Sequence, residues 1–318
     1  MKSYDWNEIA FKNKSEIKEK NYIFIAGSRE ISTKRVVQLI KTYINKGNIL
    51  FGILKDDYIE GFEDQPHFKS MDSSKLIKLV KKVSESKLPN SIDTIEYNQR
   101  DLSSVIEKLV PARAVFINGS WNRMFHLRNE FYILASNKIE FDLVSPFVDE
   151  FESKEYLEKI KPLVDSQVKY SKSKKYTDLE IFEIIKLESK RSFATDFQTS
   201  CAIVKNNKIL ALSHNEVVPY ETFALHNGSV KEKNFSPAND LNFYDTVHAE
   251  MIALVKSVDT KDILNGSSLY INLMPCPTCA RILSKTGIQE IVYSQDHSDG
   301  YAIKMFEMAG KTVRRFIP

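Results

Sequence analysis

Two α/β domains in succession are what the chain predicts, and three features carry that expectation. Short apolar runs alternate with stretches of helical periodicity through the first 150 residues. A lysine-rich polar stretch then interrupts the chain at 165–177, and a hairpin followed by further strand and helix alternation fills the rest. At 318 residues there is enough chain for two cores, and 42% hydrophobic with 27% charged residues is the composition of a folded protein rather than a disordered one.

Residues 22–26 form an apolar run closed by Gly27-Ser28, and residues 32–46 carry helical periodicity up to Gly47. The pattern repeats with strands at 48–54, 91–96, 113–118 and 139–144 and helices near 73–84, 102–109 and 123–136. Each parallel step needs a crossover helix, so this alternation implies a doubly wound parallel sheet of flavodoxin or Rossmann type over residues 1–150. Ligands of such sheets sit beyond the carboxyl ends of the strands, near a reversal of strand order. Two similar turns fall there, Gly27-Ser28-Arg29 and Gly119-Ser120-Trp121. Gly27, Ser28, Gly119 and Ser120 are therefore candidate effector-binding residues, with Arg29 or Arg123 adding charge. A plain strand-to-helix turn capped by serine accounts for the same residues, so a nucleotide-effector domain and a structural, oligomer-forming domain both remain open. No Walker motif is present.

Residues 151–177 read as a charged linking helix and a polar linker. From 178 to 318 the second domain opens with a helix to about 192 capped by Thr177 or Asp178. A hairpin of strands 201–204 and 209–212 follows, turned by Asn206-Asn207. Residues 216–243 show little periodicity over a length that suggests a lid or binding loop, with His226, Lys231 and Lys233 inside it. A helix is expected over 244–258, with Val247, Met251, Leu254 and Val258 on its apolar face. Then come a strand at 268–273, a helix at 278–285, a strand at 291–294, a helix at 301–309 and a last strand at 312–317. The helix between the last two strands makes them parallel.

The chemistry gathers in His248-Ala249-Glu250 and Pro275-Cys276-Pro277-Thr278-Cys279. An imidazole and two thiolates suit a zinc ion that keeps a fourth position for water, with Glu250 beside that water as proton shuttle. A closed structural site would want a fourth ligand, for which His297 is the one rival. Cys201 is the only other cysteine, so no disulfide framework exists. A start without an apolar signal core and apolar runs of strand length lead to the expectation of a cytoplasmic protein with no membrane partner.

The spacing H-x-E then P-C-x-x-C is that of zinc-dependent nucleobase deaminases. The second half resembles the deoxycytidylate deaminase family, through Leu269-Tyr270-Ile271-Asn272, Met274-Pro275-Cys276, Cys279-Ala280-Arg281, the run from Gly287 to Tyr293, Met308-Ala309-Gly310 and Arg315-Phe316-Ile317-Pro318. The resemblance implies a cytidine-deaminase-like three-layer α/β/α domain with parallel last strands, and zinc on His248, Cys276 and Cys279. It also implies Glu250 as the catalytic acid and base, a substrate contact by Asn215, and a pyrimidine contact by the backbone of Ala249. The loop of Asp296 to Gly300 stands where the family carries a tyrosine near the base, which makes His297 a further substrate-binding candidate. The implied reaction is hydrolysis of dCMP to dUMP and ammonia. Rivals are deamination of another base, including tRNA adenosine, and a non-catalytic nucleotide sensor. A net charge of +3 and the lack of a basic aromatic stripe argue against nucleic acid. The expected partners are thus a small nucleotide substrate, a nucleotide effector and further copies of the chain.

Overall fold

The computed structural model describes the chain apart from residues 12–16, 18, 19, 86, 121–123, 238, 239, 241, 259–262, 298, 299 and 318. Trp121, Arg123 and Pro318 therefore lie outside the described residues, as do Ser298 and Asp299. The rest divides into two compact units, Met1–Ile160 with Thr222–Tyr244, and Lys161–Glu221 with Asp245–Pro318.

In the first unit, β1 (Ser3–Asp5), β2 (Tyr22–Ile25), β3 (Asn48–Leu54), β4 (Ile92–Tyr97), β5 (Arg113–Ile117) and β6 (Glu140–Val144) form one sheet. Its order is β1-β4-β3-β2-β5-β6 and every pairing is parallel. Successive side chains alternate between faces: Phe24, Leu50 and Phe116 enter one core, while Ile23, Ile25, Phe51 and Val115 enter the other. Helices Leu102–Leu109 and Asn129–Ser136 close the first core with Val105, Ile106 and Leu134. Helices Thr33–Tyr43 and Ser73–Ser84 close the second with Val36, Leu39, Ile40, Leu76 and Val80. The sheet is doubly wound, as the alternation of runs implies, and the strand order reverses between β2 and β5. Strand β1 was not expected, because three residues are too few to show a period.

The stretch 216–243 departs most from expectation. Thr222–Tyr244 belongs to the first unit, where it forms the short helices Phe223–Asn227 and Val230–Lys233. The Thr222 hydroxyl meets that of Ser153 at 2.9 Å, His226 Nδ1 meets Ser145 Oγ at 2.9 Å, and the Phe125 amide donates to Glu232 at 3.0 Å. Lys231 is buried, with its ammonium 5.1 Å from the centre of the Tyr244 ring. A second domain drawn without interruption from 178 to 318 thus gives up an internal piece to the first. The division between the units falls inside helix Glu150–Asp165, within the 151–177 stretch read as a link. The polar residues after that helix are not all free linker, since Tyr176 is buried and its amide donates to the Asn207 carbonyl at 2.8 Å.

The second unit is built on a sheet of β7 (Ser200–Lys205), β8 (Lys208–His214), β11 (Ser268–Leu273), β12 (Glu290–Gln295) and β13 (Thr312–Arg315), in the order β13-β12-β11-β7-β8. The ribbon β9 (Glu216–Val217) with β10 (Thr246–Val247) stands apart from it. Asn206 and Asn207 both take positive φ, which the two-residue turn between β7 and β8 requires. Strands β11, β12 and β13 run parallel and β7 is antiparallel to β11. Cys201, Ile203, Leu269, Ile271 and Ile291 face one core, shared with helices Ala249–Ser257, Pro277–Leu283 and Tyr301–Met308. Ala202, Val204, Tyr270 and Val292 face the other, closed by helix Asp178–Ser189. This is the three-layer α/β/α arrangement with parallel last strands. No helix among the described residues is long and apolar enough to cross a membrane.

Leu225, buried in the first unit, tests the membership of the 222–244 segment. Leu225→Ala is expected to cost about 2–5 kcal/mol in denaturant unfolding of the first unit, whereas a segment that merely lay on the surface would lose under about 0.5 kcal/mol.

Candidate metal centre

Two strand ends and two helix starts make the site. Val247 pairs with Glu216 and Thr246 with Val217, so the β9–β10 ribbon fixes the backbone immediately before His248. The helix begins at Ala249, later than the 244 expected, because the β-branched pair Thr246-Val247 is held extended in that ribbon. His248 is the N-cap, and Glu250 lies in the first turn. Of the expected apolar face, Leu254 packs against the core but Val258 is 77% exposed; the buried positions are Ala249, Glu250, Ala253 and Ser257, and the small ones among them allow close approach to the sheet. Strand β11 delivers Cys276 as N-cap of helix Pro277–Leu283, with Pro277 at the first helical position, where its missing N–H costs nothing. The Cys279 amide points to Cys276 Sγ at 3.5 Å.

The ligand atoms of His248, Cys276 and Cys279 all lie within 4.8 Å of one another. His248 Nδ1 is 3.5 Å from Cys276 Sγ and 3.3 Å from Cys279 Sγ. A tetrahedral zinc with Zn–S of about 2.3 Å and Zn–N of about 2.0 Å sets its ligands about 3.5–3.8 Å apart, so the donor set fits that ion in kind and spacing. His297 does not join the group, and no other such group forms among the described residues. Hydrogen bonding from Cys279, helped by His248 and opposed by burial, pulls the Cys276 thiol down to about 4. Its partner Cys279 is pushed up, first by sharing a proton with Cys276 and then by burial. The Cys276 sulfur also raises His248. Burial pushes the Glu250 carboxyl above its ordinary 4.5, and that carboxyl is hydrogen-bonded to Cys279.

The other candidates divide. Ala249 is buried, and its carbonyl accepts from the Ser213 hydroxyl at 3.0 Å. Asn215 uses its side chain on a loop: Oδ1 accepts from the Thr199 amide at 2.9 Å and Nδ2 donates to the Phe197 carbonyl at 2.8 Å. The Phe197 ring in turn lies 6.3 Å from that of His297, so Asn215 and His297 hold one loop from two sides. In the first unit the Gly27 amide donates to the Tyr97 hydroxyl at 2.7 Å, and Ser28 Oγ donates to the Arg29 carbonyl at 2.9 Å. Gly119 and Ser120 lie at the end of β5, and Ser120 is buried.

One buried charged network escaped the sequence reading. Glu188 is buried and accepts from His214 Nδ1 at 2.8 Å and from Arg191 Nη1 at 3.0 and 2.8 Å. The available signal was a carboxylate on the face that helix Asp178–Ser189 otherwise fills with Ile181, Ile184 and Ile185. Ser213, His214 and Asn215 thus tie the end of β8 to three partners in succession: the start of the helix bearing Glu250, the helix bearing Glu188, and the loop 197–199.

A family model described as the Cytidine and deoxycytidylate deaminase zinc-binding region matches residues 175–295. The human deoxycytidylate deaminase is 30% identical over 146 residues, which cover 42% of this chain and 75% of that protein. This chain belongs to the deoxycytidylate deaminase family. The deoxycytidylate deaminase of Saccharomyces cerevisiae is 29% identical over 140 residues, 44% of each protein, so the match spans less than half of that relative. Among solved structures, the dCMP deaminase of cyanophage S-TIM5 in complex with dCMP and dUMP is 24% identical, with all of that chain aligned to 44% of this one at a TM-score of 0.36. Residues 1–174 lie outside the family match.

Burial raises Glu188, but hydrogen bonds from His214 and Arg191 outweigh it and hold the carboxyl below 4.5. A depressed carboxylate stabilises above its unfolded value, and the contribution is lost as pH falls through its folded value. Removing it as Glu188→Ala is expected to cost about 3–5 kcal/mol in denaturant unfolding at pH 7. The difference from the parent should narrow as pH drops below 4.5.

Proposed function

We propose that the protein hydrolyses the exocyclic amine of a cytosine nucleotide, dCMP giving dUMP and ammonia. The observation that carries this is the meeting of His248, Cys276 and Cys279 within 4.8 Å, with the Glu250 carboxyl buried against Cys279. Membership of a family whose named members are deoxycytidylate deaminases supports the choice of base and of one phosphate.

His248, Cys276 and Cys279 are the residues that would hold zinc. A zinc ion bound there would lower the pKa of water toward about 7 and so supply a hydroxide nucleophile at neutral pH. Everything else falls to the chain. Glu250 takes the proton released by the attacking water and places it on ring N3, so that the adding oxygen and the ring share one proton transfer. It then carries the remaining proton of the added hydroxyl to the amine at C4; the C–N bond breaks, ammonia leaves, and the deprotonated oxygen becomes the carbonyl. The same burial that raises its pKa makes Glu250 a better proton acceptor than an exposed carboxylate and strengthens its hold on the reacting amidine. Cys276, with its low pKa, is a thiolate at neutral pH, and so is ready for a cation without waiting for deprotonation. We assign Asn215 the shaping of the loop 197–199 that it binds, with its second Nδ2 hydrogen left for substrate. The backbone of Ala249 lines the base, and His297, beside Phe197, closes that loop from the other side.

Ammonia release from dCMP, dCTP, CMP, cytidine and an RNA stem-loop, measured with metal content, tests the reading: turnover is expected with dCMP and with one zinc per chain, and a silent dCMP arm in zinc-loaded protein sinks it. Glu250→Gln is expected to keep the zinc while kcat falls about 10²–10⁴-fold; Cys276→Ser should lose the metal itself. Because Glu250 must be ionised to take a proton and its pKa is raised, kcat should decline on the acid side at a pH above 4.5, and this limb should vanish from the residual rate of Glu250→Gln.

A further inference from the structure

Among the described residues, the first unit contains a buried cation with no counter-charge. Arg29 is 2% exposed, and its guanidinium donates Nη2 to the His67 carbonyl, lies 3.5 Å from the Tyr156 hydroxyl through the same nitrogen, and sits 5.1 Å from the centre of the Phe68 ring. None of these partners carries negative charge. Among the described residues Arg29 makes no ion pair, and its Nε has no hydrogen-bond partner. A guanidinium stays charged at any physiological pH, so its burial is costly until an anion meets it.

The position of Arg29 says where that anion would lie. It follows the turn at the end of β2, and β5 is the neighbouring strand, with Ala26 N donating to the Val115 carbonyl at 2.9 Å. This is the reversal point of the sheet, on its carboxyl side. Gly119, at the end of β5, has φ +69°, and a Cβ built there would stand 3.3 Å from Arg29 Nη1 and 2.5 Å from Leu225 Cδ1. Only glycine leaves the guanidinium clear on that side, and Leu225 roofs it. Two hydroxyls complete the surroundings. Ser120 follows Gly119, and Ser70 forms a backbone bridge with Arg29. Both oxygens are buried and neither has a partner among the described residues. A fixed cation, the hydroxyl of the residue bridged to it and the hydroxyl next along the chain from Gly119 thus belong to one turn region at the carboxyl end of the sheet, while Gly27 and Ser28, the more obvious pair, are occupied by Tyr97 and the backbone.

We propose that this crevice is an anion site of the phosphate class, with Arg29 as its cation and the hydroxyls of Ser70 and Ser120 as its donors, filled either by free phosphate or by the phosphate of a nucleotide. A tetrahedral oxyanion carries acceptor oxygens in every direction, so it can accept from the guanidinium and from hydroxyls on two different segments of the chain at once. The site is independent of the metal centre and of the reaction assigned to it.

The test uses the full chain in thermal melting without substrate, with inorganic phosphate, pyrophosphate or ATP in separate arms and sodium chloride at matched ionic strength. The variants are Arg29→Met and Ser120→Ala. At about ten times Kd the parent is expected to melt roughly 3–6 °C higher, and both variants should lose that rise. Phosphate also stabilises proteins through exclusion from their surfaces, so the difference between parent and variants is the quantity read. A response to phosphate and pyrophosphate alone identifies the free ion; a response at much lower concentration of ATP identifies a nucleotide. No rise in the parent with any of the three, or an equal rise in parent and Ser120→Ala, overturns the proposal, and the second outcome does so even if Arg29→Met fails to fold.

Discussion

Three soft donors held within 4.8 Å of one another set the terms for the second unit. Such a cluster is unfavourable for the bare polypeptide, since two sulfurs and an imidazole compete for protons in a half-dry space, and the architecture around it is what makes them stay. His248 is aimed by a two-residue ribbon, Cys276 by the end of a central strand, and both are the caps of helices, so that four elements agree on one point. The sheet supplies the rigidity: β11 lies between β12 and β7, where neither edge is free to move. Ala249 and Ala253, fully buried, let the helix approach the sheet closely, and a larger residue at either position would push His248 and Glu250 away from the sulfurs.

Much of this was legible beforehand, for reasons that can be located. The H-x-E and P-C-x-x-C spacings are short-range signals, and short-range signals survive in a sequence because the helix geometry that uses them is local. The alternation of strand and helix in the first 150 residues fixed a doubly wound sheet, because parallel strands admit few connections. The extra strand β1, the late start of the helix at Ala249, and the Glu188 network were not readable in the same way. Each depends on a partner far along the chain: β4 for β1, β9 for β10, His214 for Glu188. The allegiance of residues 222–244 to the first unit is the same failure on a larger scale. A segment without periodicity carries no record of the surface it covers, and Leu225, His226 and Glu232 look like any loop residues until Gly119, Ser145 and Phe125 stand beside them.

The two units handle buried charge in opposite ways. Glu188 is surrounded by His214 and Arg191, and Arg191 reaches on to Asp165 at 2.6 Å, so that the charge is shared along a chain of donors and acceptors. Such a network fixes the end of β8, and with it Ser213 and Asn215, beside the start of the helix that bears Glu250. Arg29, among the described residues, meets a carbonyl, a tyrosine hydroxyl and an aromatic ring but no carboxylate. The first arrangement is complete in itself and reads as scaffold; the second is complete only when something negative is added.

The interrupted first unit also bears on how the molecule is made. Residue 160 leaves the ribosome on the order of 10 s before residue 244 at ordinary rates of synthesis, and until then the crevice beside Gly119 has no Leu225 over it. The hairpin of β7 and β8 emerges in that interval, so the second unit starts to assemble before the first can finish. The nascent chain must therefore carry an open apolar surface across the birth of its neighbour, and cutting the gene at the apparent boundary would yield a fragment frozen at that unfinished stage.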